Sequence, residues 1–226
     1  MKLFTFKLKN LSILLKSKLL KKKINKKNIK NKNDFINYIN KKFFSEKWFL
    51  NNFNIFHHFL PSDSGKEFSY LEIGSFEGLS ALNILYHYKN AKVTAIDLWN
   101  DCNINSEPLK VDFKETEKRF DKNLENYSFV KIKKDSVIAL REILRTNLSF
   151  DIIYIDGSHN GEDILSDGIE SYKLLSLGGL IIFDDISNYN KNITIQAYEG
   201  FQKFCEIHKN KIKIQYLGNI AIVKKV

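Results

Sequence analysis

From Phe68 onward the chain alternates short, nearly unbroken apolar runs with longer amphipathic ones, and that rhythm restricts the fold more than any other feature. Strands are expected at 69–73, 92–96, 129–133, 151–155 and 179–183, and helices near 79–88, 113–125, 136–146, 162–176 and 194–209. Strands that are apolar along their whole length are buried on both faces, so helices must cover both sides of a parallel sheet. The rhythm breaks at the end: 211–216 and 220–225 are β-rich and joined by Leu217-Gly218-Asn219, which reads as an antiparallel hairpin. The expected class is α/β with a doubly wound sheet.

In such a sheet a ligand lies across the carboxyl ends of the strands, so the residue after each strand is the informative one. The first strand runs into Glu72-Ile73-Gly74-Ser75-Phe76-Glu77-Gly78 and then a helix-like stretch. Glycines let the backbone approach a ligand, and the unpaired N–H groups of the following helix suit a carboxylate, phosphate or ribose. The dinucleotide fingerprint G-x-G-x-x-G is not met, because Phe76 stands at the second glycine position. The second strand ends in Asp97, about 20 residues past the turn, where an acid accepts both ribose hydroxyls. Trp99 follows, either stacked on an adenine or plugging the sheet edge. Asp135-Ser136 follows the third strand, and both residues are also favoured helix caps.

The fourth and fifth exits read Asp156-Gly157-Ser158-His159 and Asp184-Asp185. Neighbouring parallel strands lie about 5 Å apart, so these three carboxylates are expected to converge, and they repel unless a cation sits among them. An all-oxygen set favours Mg²⁺, Mn²⁺ or Ca²⁺ over zinc. His159 is placed to take a proton near neutral pH, or merely to start a helix.

Glu72-x-Gly74-x-x-x-Gly78 resembles the first motif of class I S-adenosylmethionine-dependent methyltransferases, acid-x-Gly-x-Gly-x-Gly, with Phe76 as the departure. The five βα repeats and closing hairpin resemble that family's Rossmann-like, seven-stranded sheet. Asp156-Gly-Ser-His159, a Gly-Gly strand and Phe183-Asp184-Asp185 are similar to the metal-dependent small-molecule O-methyltransferases that include the macrocin-type sugar enzymes. The resemblance spans about 35–226. It implies S-adenosylmethionine held by Glu72 (methionine portion), Gly74, Ser75, Gly78, Asp97, Trp99, Asp135 (adenine amino group) and Ser136. It also implies Mg²⁺ or another divalent cation on Asp156, Asp184 and Asp185, with Asp156 and His159 catalytic and a small hydroxylated acceptor such as a sugar.

Charge separates the parts. Residues 1–60 hold fifteen lysines against Asp34 and Glu46, net +13, which leaves 61–226 at −3 of the chain's +10. Residues 1–33 read as a basic arm, flexible from 21 to 33, in which Phe4, Leu8, Leu11, Leu15 and Leu19 form one helical stripe suited to an anionic membrane surface or a partner. Residues 34–66 are aromatic-rich helices expected to pack on the domain at 67–226. Cys102 and Cys205 make neither a disulfide framework nor a metal knuckle, and lysines interrupt every early apolar run, so a cytoplasmic chain with no membrane span is expected. A nucleic-acid methyltransferase using the lysine arm is the main competing class, disfavoured because the charge is confined to the arm. A nicotinamide-dependent oxidoreductase and a membrane-attached scaffold are weaker alternatives. Trp48, His57, His58 and Tyr189 are exposed acceptor-contact candidates, and oligomeric state is left open.

Overall fold

The computed structural model describes residues 10–24, 29–100, 113–187 and 195–226. Seven strands form one sheet: β1 (Phe68–Ile73), β2 (Ala91–Asp97), β3 (Val130–Lys133), β4 (Phe150–Ile155), β5 (Leu175–Phe183), β6 (Ile212–Leu217) and β7 (Ala221–Lys225), in the order β3-β2-β1-β4-β5-β7-β6. β1 to β5 are parallel, while β7 runs antiparallel to both β5 and β6. The order reverses between β1 and β4, and such a reversal opens a crevice at the strand ends.

The helices are α1 (Leu11–Ile24), α2 (Ile29–Ile39), α3 (Phe53–Phe59), α4 (Leu79–His87), α5 (Phe113–Leu124), α6 (Ser136–Ile143), α7 (Gly161–Leu174) and α8 (Ala197–Ile207). Alternate residues of each strand feed two cores. Tyr70, Val93, Ala95, Ile152, Tyr154 and Ile182 meet α3, α4 and α5 on one face; Leu71, Ile73, Ile153, Ile155, Ile181 and Phe183 meet α6, α7 and α8 on the other. The fifth strand starts earlier than its sequence pattern suggests, at Leu175, because its register with β4 shifts between Phe150 and Ile152 and admits the Gly178-Gly179 irregularity.

The N-terminal segment departs from expectation. Lys21–Ile24 ends α1 and residues 29–33 begin α2, so much of the stretch expected to be flexible is helical; Phe4 and Leu8 of the stripe lie outside the described residues. What orders α1 is a second apolar set: Ile13, Leu14 and Leu20 pack on the cores, Ile24 is buried, and the Ser17 hydroxyl accepts from the Leu217 N–H at 2.9 Å. From α2 and α3, Phe35, Phe53 and Phe56 are fully buried; Phe43 is exposed despite the expectation that this aromatic run would be covered, and Trp48 is exposed, as expected of an acceptor-contact candidate.

His57 is enclosed rather than exposed. Its ring packs on Phe53 and His87, and its Nε2 meets Asn83 Oδ1 at 2.9 Å. Burial lowers the pKa of His57 to about 4 and that of His87 to about 3.

Candidate active site

The strand ends form one continuous row. Beyond the strands the ladder continues, with Gly74 N–H donating to Ile96 O, Asp156 N–H to Ile73 O and Asp184 N–H to Ile155 O, each at 2.9 Å. Gly74, Asp97, Asp156 and Asp184 therefore stand side by side at the carboxyl edge, on four neighbouring strands.

The glycine turn is built on left-handed backbone. Gly74 has φ +82° and Gly78 φ +83°, and a Cβ on Gly74 would lie 2.2 Å from the Asp156 carbonyl oxygen. Phe76, the residue that departs from the motif, adopts φ +48°, and Trp99 adopts +43°. Side chains in that region cost about 1–2 kcal/mol each, and here one carboxylate holds both. Asp97 accepts from Phe76 N–H at 2.7 Å through one oxygen and from Trp99 N–H at 2.8 Å through the other, while the Trp99 indole N–H donates to Phe76 O at 2.8 Å. A glycine is dispensable at position 76 because this clamp imposes its conformation. A carboxylate has about four acceptor sites, so each Asp97 oxygen keeps capacity for a ligand hydroxyl.

Trp99 is 5% exposed and packs on Phe120 at 4.6 Å, which is the edge-plug arrangement. Asp135 is exposed and caps α6 by accepting from Ile138 N–H at 3.2 Å; Ser136 lies beside the buried Asp167. Ser75 is buried in the turn. Glu72 is fully buried and accepts from the Tyr70 hydroxyl at 2.7 Å and the Ser80 hydroxyl at 2.8 Å. Burial raises its pKa to about 8, so at neutral pH it is mostly a neutral acid that ties β1 to α4 behind the turn.

The carboxylates of the fourth and fifth exits converge. The Tyr154 hydroxyl lies 3.0 Å from Asp156 Oδ2 and bonds Asp184 Oδ2 closely, and His159 Nε2 lies 3.9 Å from Asp156 Oδ1 and 3.8 Å from Asp185 Oδ2. Asp184 is 5% exposed and receives Asn52 Nδ2 at 2.9 Å and the Asp185 N–H at 2.7 Å; Asp185, at φ +47°, receives Asn219 Nδ2 at 2.6 Å. Burial, then repulsion from Asp156, pushes Asp184 up to about 8; burial raises Asp156 as well. Among the described residues no group of three or more His, Cys, Asp or Glu is arranged to hold a metal ion.

Four contributors escaped the sequence reading. Tyr154 carried a signal, a phenol inside a buried strand two residues before an acid. Asn219 lies in the hairpin turn, and Asn52 is 132 residues from the Asp184 it bonds. Glu77, inside the turn itself, accepts from Ser45 N–H at 2.6 Å and pairs with Arg119 at 2.7 Å, stapling the N-terminal segment to the site. That staple holds Trp48 at 5.6 Å from Phe76, with Trp48 47% exposed. His58 is exposed, and Tyr189 lies outside the described residues.

These groups give stability a two-sided pH dependence. His57 and His87 have lowered pKa values, so the unfolded chain takes up protons that the fold refuses as pH falls from about 6.5 toward 4, and stability falls with it. Glu72, Asp184 and Asp167 (about 8, 8 and 7) keep protons that the unfolded chain releases above about 4, so their contribution is lost as pH rises to 8. Each group changes stability by at most about 1.4 kcal/mol per pH unit within its window. With three raised acids against two lowered histidines, the opposing effects balance near about pH 4 and the acids win above it, so the expected melting temperature is highest near about pH 4–5 and falls toward pH 8 in a calorimetric series. A flat profile from pH 4 to 8 contradicts the buried protonation states.

Comparison with known proteins agrees with this geometry. A methyltransferase-domain family profile matches residues 71–186, from the first strand through the acidic pair. An uncharacterized protein, R132, of Acanthamoeba polyphaga mimivirus is 25% identical over 160 residues, covering 67% of this chain and 68% of its own. A crystal structure described as a putative caffeoyl-CoA O-methyltransferase from Staphylococcus aureus superposes with TM-score 0.58 at 16% identity, over 94% of this chain and all of that one. The methyltransferase MycE of the mycinamycin biosynthetic pathway, solved with Mg, SAH and mycinamycin VI, gives 0.55 at 20% identity over 81% of this chain, which spans half of MycE. With the profile covering more than half of its length, the chain belongs to the methyltransferase-domain family.

Proposed function

We propose that this protein transfers a methyl group from S-adenosylmethionine to a hydroxyl of a small molecule, a sugar unit being the favoured class, with a divalent cation, magnesium first, at the carboxylates. The main support is the shared row: the edge that offers the glycine turn and Asp97 to a nucleoside continues directly into Asp156 and Asp184. The MycE complex with Mg, SAH and mycinamycin VI supports the same combination.

The donor chemistry suits a hard dication: Tyr154 bridges Asp156 and Asp184, His159 lies between Asp156 and Asp185, and Asp156 and Asp184 are driven toward protonation, by burial first, without a counter-charge. Asp156, Asp184 and Asp185 would hold it, and it would supply Lewis acidity that lowers the pKa of an acceptor hydroxyl. Around that centre the chain's own residues divide the work. The left-handed turn brings backbone to the cofactor, and Asp97 keeps it there while receiving ribose hydroxyls. His159, between Asp156 and Asp185, accepts the hydroxyl proton near neutral pH, and the two carboxylates hold the imidazolium that forms. Tyr154 and Asn52 orient Asp184. Trp48 provides an aromatic wall beside the turn for the flat face of a ring.

The test is calorimetric titration with S-adenosylhomocysteine, followed by transfer of labelled methyl groups to a panel of glycosides, catechols and transcribed RNA. Binding of the nucleoside and labelling of a hydroxylated small molecule are expected. Absence of nucleoside binding, or labelling confined to RNA, defeats the reading.

A further inference from the structure

Helix α1 carries two apolar faces, and only one of them is used by the fold. Ile13, Leu14, Leu20 and Ile24 turn inward, and the Ser17 bond to Leu217 N–H fixes the helix against β6, the edge strand of the sheet. On the opposite side Leu11, Leu15 and Leu19, spaced four apart, are 50%, 53% and 68% exposed. At 100° per residue they form one outward stripe, and the exposed Lys18 and Lys22 fall within it while Lys16 and Lys23 flank it. No acid interrupts this charge, because the first acidic residue in the chain is Asp34.

We infer that this face of α1 docks the protein on an anionic lipid surface. The pairing of features selects that occupant. Lysines alone would suit any polyanion, and leucines alone any apolar partner; leucines interleaved with lysines on one face match a surface with negative headgroups above acyl chains. The long lysine stems extend upward from the leucine level, so immersion of the stripe leaves the ammonium groups at headgroup height. No helix among the described residues is long and apolar enough to cross a membrane, so the contact lies in the interfacial plane. The face owes nothing to the strand-exit site, and the inference stands independently of the proposed activity.

The test is co-sedimentation of the full chain with sucrose-loaded vesicles of phosphatidylcholine alone or with about one-third phosphatidylglycerol. The protein is expected to pellet with the anionic vesicles, to remain in the supernatant with the neutral ones, and to be released by salt. Leu11→Asn/Leu15→Asn/Leu19→Asn is expected to weaken partitioning at least about tenfold, and Lys16→Gln/Lys18→Gln/Lys22→Gln/Lys23→Gln on the order of a thousandfold. These side chains are exposed, so thermal melts should match the parent; Leu15→Glu alone serves as the second variant if the triple change melts early. No pelleting by the parent overturns the inference, as does undiminished pelleting of the leucine variants. Loss of self-association without any vesicle binding would assign the face to a second copy instead, and RNA retention indifferent to the leucines would assign it to nucleic acid; either result overturns it.

Discussion

Gly74→Ala is expected to weaken cofactor binding severely and to destabilise the fold, whereas Gly78→Ala, in the same turn and at nearly the same φ, is expected to do less. Both substitutions force a side chain into left-handed backbone, which costs about 1–2 kcal/mol. The difference lies in what the new methyl meets. At position 74 it would lie 2.2 Å from the Asp156 carbonyl oxygen and 2.5 Å from Gly157 Cα, main-chain atoms fixed by the β1–β4 ladder. At position 78 the nearest atoms are Leu124 Cδ1 at 2.5 Å and Phe120 Cδ2 at 2.9 Å, buried side chains that must shift but are not main chain pinned by a strand ladder. The expected loss at 74 is about 3 kcal/mol or more, which in a chain of this size lowers the melting temperature by roughly 6–12 °C. Relief of that clash separates β1 from β4 at their exits, the place where cofactor and carboxylates adjoin. Affinity for S-adenosylhomocysteine should therefore fall at least about a hundredfold, equivalent to about 2.7 kcal/mol. Calorimetry on a folded fraction checked by circular dichroism separates the two effects. Parent-like affinity in Gly74→Ala would remove the turn from the binding site.

The contrast between those glycines also marks where sequence is informative. A strand exit is legible because buried strands are unbroken apolar runs, so the first acid after each run announces itself; Asp97, Asp156 and Asp184 fall one after another in the observed row for that reason. Patterning of this kind carries the sheet and the carboxyl edge. It does not carry contacts made across long separations by short polar side chains, such as Asn52 to Asp184 or Ser45 to Glu77. Nor does it rank two roles for one residue: Asp135 is seen as the cap of α6 and Trp99 as a packed plug bonded to the turn. Phe76 shows the limit most clearly. The motif departure reads as a lost glycine, but the left-handed conformation survives because Asp97 and Trp99 hold it from another strand. The leucine stripe of α1 reads as a face for a surface or a partner and is exposed; what the pattern hides is the inward face, made by the residues between its members.

Removal of divalent cations is expected to cost more than any single substitution in the N-terminal segment. Asp156, Asp184 and Asp185 are gathered by elements that have no freedom to spread them: β4 and β5 are paired up to their exits, Tyr154 bridges the first two acids, and Asn219 fixes the third. Carboxylates so buried and confined either take protons, as the rise of Asp184 to about 8 by burial first and repulsion from Asp156 second describes, or share a cation. The two solutions compete, so added Mg²⁺ should raise the melting temperature more at pH 8, where its ligands ionise readily, than at pH 6. Methyl transfer should fall on the order of a thousandfold in EDTA and return with Mg²⁺, and Asp156→Asn and Asp185→Asn should show the same deficit without recovery. The thermal shift needs no acceptor and so separates the cation site from the activity. Full turnover in chelator together with a melting temperature indifferent to Mg²⁺ at both pH values would leave the three acids as a protonated structural cluster, with Tyr154 and His159 as its hydrogen-bonding frame.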